Sequence, residues 1–210
     1  MPLDTLIARI DALAGSSPRV IVGIAGSPGS GKTTLATALV EELGEQAAHL
    51  PMDGFHLANR TLDRLGRRER KGAIDTFDGQ GFVALIERVR REAGHTVYAP
   101  SFRREVDEPV AGEIAIEPAV RIVIVEGNYL LAEQDPWIRV RDLLDEAWFC
   151  DAPADVRERR LVERHTLGGR SVEAATEFAR TVDGSNAQLI ERTAHRAHLR
   201  VSGVTWALVP

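Results

Sequence analysis

Short apolar runs alternate with amphipathic stretches along the chain. The segments Arg19–Ala25 and Val120–Val125 are apolar almost throughout and end in polar or glycine residues, which is typical of strands buried on both faces. Between them, Thr34–Leu43 and Gly81–Ala93 carry apolar residues at the spacing of one helix face. Strands that alternate with helices predict an α/β fold, with a mainly parallel sheet and helices on both faces.

Weaker patterns extend this sheet. Glu146–Asp151 predicts a third core strand, whereas Ala47–Met52 and Thr205–Val209 predict less regular ones. The segments Thr96–Pro100 and Glu113–Ile116 are short, and they predict edge or hairpin strands.

The last third of the chain is mainly helical in pattern. Helices are predicted at about 153–166, 171–181 and 184–198. Arg164 and Arg170 flank the Gly168-Gly169 turn, and a glycine turn between helices is typical of a closing lid, here placed at roughly 157–182. Lid arginines could stabilise charge on a transferred phosphoryl group. Two surface helices joined by an exposed turn would give the same pattern, so both interpretations stay open.

Composition narrows the class of protein. The chain has 210 residues, of which 44% are hydrophobic, and this is enough for one α/β domain over residues 1–210. A net charge of −5 argues against a nucleic-acid partner. The single cysteine, Cys150, excludes a disulfide framework and fits a reducing compartment. Neither a signal peptide nor an apolar run of the roughly 20 residues that span a bilayer is visible, so we expect a cytoplasmic protein without membrane insertion.

The segment between the first strand and the helix after it carries a complete phosphate-binding motif. Residues Gly26–Thr33 fit the pattern Gly-x-x-x-x-Gly-Lys-[Ser/Thr], in the strand–loop–helix context that the motif requires. Backbone N–H groups there can meet phosphate oxygens at the positive end of the helix dipole. We expect Lys32, one of only two lysines, to reach the β- and γ-phosphates and Thr33 to bind Mg²⁺. The residues expected to bind ATP are Gly26, Ser27, Pro28, Gly29, Ser30, Gly31, Lys32, Thr33 and Thr34.

Three acidic residues follow predicted strands, where active sites of α/β sheets lie. Asp53 could accept the proton of an attacking hydroxyl and aim it, although Asp53-Gly54 is also a common turn pair. Glu126 is placed to help to hold Mg²⁺, or else is a solvated carboxylate at a strand end. Asp151 precedes a proline and a predicted helix, which favours a capping or turn role.

Basic residues other than Lys32 give weaker signals because arginine is so frequent. The run Arg67–Lys71 is interpreted as a solvated face rather than a site. His56 lies close to Asp53 in sequence, where it could hydrogen-bond a substrate hydroxyl or only pack. The other five histidines show no spacing typical of a metal site.

Four separate motifs together resemble one family. They are Gly26–Thr34, Pro51–Leu57, Thr76–Asp78 and Val125–Leu131. The set is similar to the phosphoribulokinase/uridine kinase/pantothenate kinase family of P-loop kinases, and it most resembles small bacterial members provisionally named fructose transport system kinases or nucleoside/nucleotide kinase-like proteins. The resemblance covers residues 20 to about 190, and it implies a three-layer P-loop NTPase fold with a small helical lid.

The resemblance also implies roles for single residues. It makes Asp53 the catalytic acid/base, places Glu126 beside the metal, and puts Arg164 and Arg170 on the lid with Lys32 at the phosphates. An arginine of a Phe-Asp-Arg run contacts substrate in the family and matches Arg104, although the Asp of that run is absent here. The substrate-binding residues implied in this way are Asp53, Phe55, His56, Asp78 and Arg104.

These observations predict a small-molecule kinase that transfers the γ-phosphate of ATP to a hydroxyl, with Mg²⁺. A fructose-like sugar is the first choice of acceptor, and uridine or another nucleoside, a pantothenate-type substrate and other anionic acceptors stay open. A regulatory or transport-linked NTPase is the alternative of another class. It is disfavoured because the chain lacks the Asn-Lys-x-Asp run of GTPase switches, and Leu167–Ser171 is not a transporter signature loop. A homodimer also stays open, because related kinases often dimerise.

Overall fold

The computed structural model describes residues 1–15 and 17–209, in which helices and strands alternate. The α-helices are α1 (Pro2–Ala14), α2 (Lys32–Leu43), α3 (Asn59–Leu65), α4 (Gly79–Arg91), α5 (Ala154–Leu167), α6 (Val172–Phe178) and α7 (Gly184–Glu191). The strands are β1 (Val20–Ala25), β2 (Ala47–Pro51), β3 (Val97–Arg103), β4 (Glu108–Ile116), β5 (Ile122–Gly127), β6 (Glu146–Asp151), β7 (Leu199–Ser202) and β8 (Leu208–Val209). Among these described helices, none combines the length and the apolar character that a membrane span requires.

Six of the strands form one sheet in the order β2-β5-β1-β6-β7-β8. The central strand β1 pairs in parallel with β5 and β6, and β2 and β7 continue the parallel arrangement on either side. The short β8 runs antiparallel to β7 at one edge. Strands β3 and β4 form a separate antiparallel hairpin. The prediction of a mainly parallel α/β sheet is therefore confirmed.

Both faces of the sheet are covered, which explains why β1 and β5 are buried at every position. On one face, a core cluster joins α4, through residues such as Phe82 and Ile86, to the hairpin and the sheet. On the other face, α1 and α2 pack through Leu6, Ile10 and Leu35. The three layers expected of the fold are thus built from the apolar faces of these helices.

The C-terminal elements differ from the sequence-based expectation. The helix predicted to reach residue 198 ends at Glu191, and residues 199–202, for which no element was predicted, form β7. Val201 is fully buried and pairs with Cys150 of β6, a long-range contact that local periodicity does not show. The predicted last strand is shortened to residues 208–209, because Trp206 has a φ of +60°, in the left-handed region that strands do not use.

The register of the parallel strands determines where the functional site lies. Ala25 at the end of β1 pairs with Gly127 of β5, and Pro51 at the end of β2 pairs with Glu126. The chain leaves β1 into the glycine-rich loop and leaves β2 towards Asp53. Three segments that were singled out in the sequence therefore emerge at the same edge of the sheet.

Candidate active site

The loop between β1 and α2 presents its backbone at the start of a helix. Helix α2 begins at Lys32, directly after Gly31, whose φ of +99° lies in the left-handed region. Gly29 has a φ of +75°, so a side chain at either glycine would strain the backbone. The first N–H groups of a helix have no intrahelical partners and lie at the positive end of its dipole. This loop is therefore suited to binding an anion such as phosphate.

The outer side of the loop is fixed by neighbours that the sequence did not single out. The guanidinium of Arg160 on α5 donates hydrogen bonds to the carbonyls of Gly29 at 3.1 Å and Ser30 at 3.2 Å. A Cβ atom added at Gly31 would lie 2.6 Å from the carbonyl oxygen of Gly203. These contacts were invisible in the sequence, because Arg160 is one of many arginines and Gly203 is distant along the chain.

Two polar side chains meet at the end of the loop. The Thr33 hydroxyl donates to Oε1 of Glu126 at 3.1 Å, and Glu126 is only 3% exposed. Nε2 of His49 lies 3.7 Å from the same carboxylate oxygen. Lys32 is also buried, and its ammonium has one long contact, 3.4 Å to the carbonyl of Ser27. Hydroxyl and carboxylate oxygens are the ligands that Mg²⁺ prefers, so Thr33 and Glu126 fit that ion.

A cavity of about 440 Å³ opens beside the loop and brings many of the sequence-predicted residues together. The β3–β4 hairpin and the α5–α6 region contribute its other walls. Of the predicted residues, those that line it are Pro28, Lys32, Thr33, Asp53, His56, Arg104, Glu126, Arg164 and Arg170.

Asp53 reaches the cavity from a single 3₁₀ turn directly after β2. It is half-buried. The next residue must be small, because a Cβ atom at Gly54 would lie 2.2 Å from the carbonyl oxygen of Pro100 on the hairpin. The Asp-Gly pair thus allows close approach of the hairpin, while the Asp53 carboxylate shares a cavity with Lys32 and Glu126.

His56 lies among aromatic rings at the cavity wall. Its ring stacks on Phe77 with centroids 4.0 Å apart, and the Phe102 ring is 4.9 Å away. Burial lowers the pKa of His56 below its usual range; Asp53 opposes this shift, and Lys71 adds to it. The lowered pKa favours the neutral imidazole, which can serve a substrate hydroxyl as a hydrogen-bond donor or acceptor.

Arg164 near the end of α5 lines the cavity. Burial lowers the pKa of its guanidinium, Asp183 raises it, and Arg104 lowers it further. Asp53 and Glu126 lie close enough to act on the same pKa in the upward direction. Arg164 thus lies among the residues predicted to perform the chemistry.

Arg170 reaches the same cavity from the turn between α5 and α6. Its guanidinium carbon lies 4.0 Å from the centre of the Phe178 ring, a cation–π contact. Nε2 of His165 lies 2.7 Å from Oδ2 of the buried Asp183, which belongs to the π-helical turn Ala179–Asp183 between α6 and α7. Such π-helical turns are frequent at functional sites.

Two predicted substrate residues are placed elsewhere. Phe55 is buried in the core and packs edge-to-face on Phe82, with centroids 5.1 Å apart. Asp78 is an exposed N-cap of α4, and its carboxylate accepts a hydrogen bond from the Gly81 amide at 2.8 Å. Neither side chain lines the cavity, so the structure does not bring them to the other predicted residues.

The interpretation of Arg67–Lys71 as a solvated face is wrong for Lys71 and holds only in part for Arg68, which is exposed but also lines the cavity. Arg68 and Lys71 line the cavity, and the Lys71 side chain is only 11% exposed. Its ammonium donates to Asn59 Oδ1 at 2.7 Å and to the Asp107 carbonyl at 2.5 Å. Both lysines of the chain therefore line one cavity. The rarity of lysine, which marked Lys32, was also the available signal for Lys71.

The segment that carries Lys71 is tied to distant elements through one carbonyl. The Gly72 oxygen accepts hydrogen bonds from the Tyr129 hydroxyl at 2.7 Å and from Nδ2 of Asn186 at 3.2 Å. Tyr129 follows β5 and Asn186 belongs to α7. The cavity wall is thus held by residues that lie far apart in sequence.

Comparison with known proteins agrees with this geometry. The sequence profile of the Phosphoribulokinase / Uridine kinase family matches residues 21–210. A provisionally named uridine kinase of Schizosaccharomyces pombe is 36% identical over 175 residues, or 79% of this chain and 74% of the relative. The uncharacterized Escherichia coli protein YggC is 34% identical over 204 residues, or 93% and 84%.

A solved structure gives the same result at the level of the fold. The protein is provisionally named a fructose transport system kinase and comes from Silicibacter sp. TM1040. It superposes with a TM-score of 0.83 at 35% identity and covers 93% of this chain and 98% of its own. The chain therefore belongs to the phosphoribulokinase/uridine kinase family and is a P-loop kinase, a phosphotransferase that acts on hydroxyl groups.

Proposed function

We propose that this kinase transfers the γ-phosphate of ATP to a hydroxyl of a polyhydroxyl small molecule, with a fructose-like sugar as the first candidate. The observation that carries the proposal is a single cavity lined by Lys32, the Thr33–Glu126 pair and Asp53. Phosphoryl transfer depends on holding the phosphates, a metal and an oriented nucleophile together. The polar lining suits an acceptor with several hydroxyl groups.

Asp53 is assigned to the attacking hydroxyl. Its carboxylate accepts the proton of that hydroxyl and aims the oxygen at the γ-phosphate, as the catalytic aspartate does in kinases generally. The half-buried position after β2 supports this role, because the carboxylate is held on a short turn rather than on a mobile loop.

The nucleotide and its metal are assigned to the loop Gly26–Thr34. Lys32 interacts with the β- and γ-phosphates, and Thr33 and Glu126 would hold Mg²⁺. When bound, Mg²⁺ neutralises charge on these phosphates. The described residues contain no group of three or more His, Cys, Asp or Glu side chains that could hold a metal, which fits an ion that takes most of its ligands from phosphate and water.

Residues 157–182 are assigned to a lid that closes over the reacting groups. Arg164 and Arg170 already line the cavity, and the Arg170 guanidinium packs on the Phe178 ring. Closure would bring both guanidinium groups to the transferring phosphoryl group and exclude water from it.

The proposed function also implies a domain organisation, a class of substrate and a cellular location. We assign one kinase domain to residues 1–210, small molecules as its substrates and the cytoplasm as its location. The buried Cys150 supports a reducing compartment, and the net charge of −5 supports the absence of a nucleic-acid partner. Self-association into a homodimer is an additional proposal, to be tested by light scattering.

A nucleoside is the second candidate for the acceptor. The S. pombe relative and several more distant ones are named uridine kinases. The rings of His56, Phe77 and Phe102 also form an aromatic group at the cavity, and bases stack well on such rings. A pantothenate-type acceptor belongs to the same family of reactions.

The decisive experiment measures coupled ADP release with ATP and Mg²⁺ against a panel of sugars, nucleosides and pantothenate. We expect turnover with one class of acceptor and its loss in Asp53→Asn. Asp142→Asn is the matched control, because Asp142 is exposed and outside the cavity lining. Acceptor-independent hydrolysis that is unchanged in Asp53→Asn would contradict the proposal and favour a regulatory or transport-linked NTPase.

A further inference from the structure

The part of the cavity beyond His56 is basic, and the inference drawn from it rests on the proposed kinase function. The Lys71 ammonium lies 4.8 Å from the centre of the Phe102 ring, which in turn lies 4.9 Å from the His56 ring. His56 is three residues after Asp53 in the chain. Arg68 and Arg104 line the same cavity as Lys71. We call Arg68, Lys71 and Arg104 the basic end of the cavity.

Carboxylates are too few to neutralise the basic end. The Asp107 carboxylate is shared, at 3.0 Å from the Lys71 ammonium and 3.5 Å from the Arg68 guanidinium. Asp63 lies 4.0 Å from Arg68 but does not line the cavity. The Arg104 guanidinium has no hydrogen-bond or ion-pair partner among residues 1–15 and 17–209. Even with Asp63 counted, two carboxylates face three cations, so one positive charge of the basic end has no partner among the residues that the structure describes.

The nucleotide does not account for this charge. In the proposed function the triphosphate is held by Lys32, Arg164 and Arg170, none of which belongs to the basic end. Lys71 lies instead beside Phe102, next to His56, and Arg104 is close enough to Arg164 to lower its pKa, so the two arginines add to the positive charge rather than compensate it. A neutral acceptor would leave the positive charge of the basic end uncompensated when the lid closes, and burying an unpaired charge is unfavourable. An anionic group would supply the missing charge through charge-assisted hydrogen bonds.

We propose that the phosphoryl acceptor carries an anionic group, a carboxylate or a phosphate, which binds at the basic end while the hydroxyl to be phosphorylated lies at Asp53. Arg104 makes the direct contact, because its guanidinium has no partner within the described part of the chain. Lys71 acts mainly through its charge, since its three protons are taken by Asn59 and by the carbonyl and carboxylate of Asp107.

The test is a ratio of specificity constants measured on the full chain. We compare kcat/KM for fructose 1-phosphate, fructose 6-phosphate and gluconate with kcat/KM for fructose, using ATP and Mg²⁺. We expect a ratio of about tenfold or more for one anionic acceptor, the factor that one charge-assisted hydrogen bond provides. Arg104→Met and Lys71→Met should lower the ratio towards one. Asp107→Asn should raise it, because it removes negative charge from the basic end.

A control variant and the direction of each change separate binding from folding. Arg70→Met is matched to Lys71→Met, because Arg70 is exposed, pairs with Asp75 and does not line the cavity; its ratio should stay unchanged. A loss of structure lowers kcat/KM for neutral and anionic acceptors alike and leaves the ratio constant. A constant ratio in Arg104→Met and Lys71→Met would therefore overturn the inference.

The remaining outcomes distinguish the inference from the proposed function. Preference for a fructose phosphate assigns a phosphate group, and preference for gluconate assigns a carboxylate. A wild-type ratio near one overturns the inference and leaves the kinase function intact. If no acceptor turns over, calorimetry with a non-hydrolysable ATP analogue decides. Binding of fructose 6-phosphate or gluconate that is lost in Arg104→Met supports the anionic site alone, and no binding overturns it.

Discussion

The two ends of the cavity are built in different ways. The nucleotide end comes from one continuous segment, Gly26–Thr33, whose shape is fixed by backbone dihedral angles and by the start of α2. The basic end draws Arg68 and Lys71 from the segment between α3 and α4 and Arg104 from the hairpin turn. Side-chain contacts hold it together, such as those from Lys71 to Asp107.

The two ends of the cavity differ in how easily their residues can be substituted, and this affects which property of the enzyme each end determines. A site made from backbone amides and positive φ angles tolerates few substitutions, because both position and conformation are fixed. A site made from side chains on two separate segments can change one residue at a time without disturbing the sheet. We therefore expect the nucleotide end to set the reaction and the basic end to set the acceptor.

The largest effect on turnover should come from replacing the Asp53 carboxylate by an amide of the same shape. We expect Asp53→Asn to lower kcat by about 10²-fold or more, the range of general acid–base catalysis, and to leave ATP affinity nearly unchanged. Lys32→Ala should weaken both ATP binding and turnover, because the ammonium stabilises phosphate charge at every step. Steady-state kinetics together with nucleotide titration would measure the two variants.

The pair of variants tests whether Asp53 and Lys32 have separate roles, the first at the attacking hydroxyl and the second at the phosphates. Equal loss of ATP affinity in Asp53→Asn and Lys32→Ala would contradict the division of roles. Near-normal turnover in Asp53→Asn would remove Asp53 from the catalytic assignment. Phosphoryl transfer at an undiminished rate in Lys32→Ala would contradict the phosphate role of the loop.

A substitution that strains the backbone of the nucleotide end should have a smaller effect than the loss of a catalytic group, and this effect is on the free energy of unfolding. Gly31→Ala should lower the free energy of unfolding by about 1–3 kcal/mol, because it places a side chain at φ +99° and a Cβ atom 2.6 Å from the Gly203 carbonyl. Urea denaturation measures this change. ATP affinity should fall with it, since the loop must move to relieve the contact.

Gly94→Ala is the matched control for that measurement. A Cβ atom at Gly94 would meet no atom within 4 Å, and the residue is exposed. Its effect on the free energy of unfolding should stay within about 0.5 kcal/mol. Similar effects of the two substitutions would show that the backbone at Gly31 is not constrained as described.

The contrast between the contiguous nucleotide end and the basic end, which is assembled from distant segments, also explains what the sequence could predict. The central sheet, helix α2 and the phosphate loop follow from local patterns, because buried parallel strands are apolar throughout and the loop motif is contiguous. The strand Leu199–Ser202, which was not predicted, forms by pairing with β6, and no local pattern encodes that pairing. The basic end was missed for a related reason, since it forms only when the hairpin meets the segment before α4.

The family resemblance implied five substrate-binding residues, and not all of them line the cavity. Asp53, His56 and Arg104 line the cavity, whereas Asp78 caps a helix and Phe55 packs in the core. Both of the latter lie within two residues of a cavity residue in the chain, so adjacency alone could not separate them. Which way each side chain points depends on the turn after β2 and on the start of α4.

The smallest predicted effect concerns His56, where the two ends meet. Burial lowers the pKa of His56 below 6.5, and Lys71 lowers it further, while Asp53 and Asp107 oppose the shift. The unfolded chain therefore takes up a proton before the folded chain as the pH falls. The free energy of unfolding should decrease from about pH 6.5 down through the depressed pKa, and this contribution should vanish above that range.

His56→Phe tests this dependence, because a phenyl ring keeps the stacking on Phe77 but cannot titrate. Urea denaturation between pH 5 and 8 should show the wild type losing stability relative to the variant only below about pH 6.5. Parallel curves over the whole range would contradict the burial of the imidazole. A proton on His56 would add positive charge beside Lys71, where charge is already in excess, so an anionic acceptor should reduce the loss of stability at low pH whereas fructose should not.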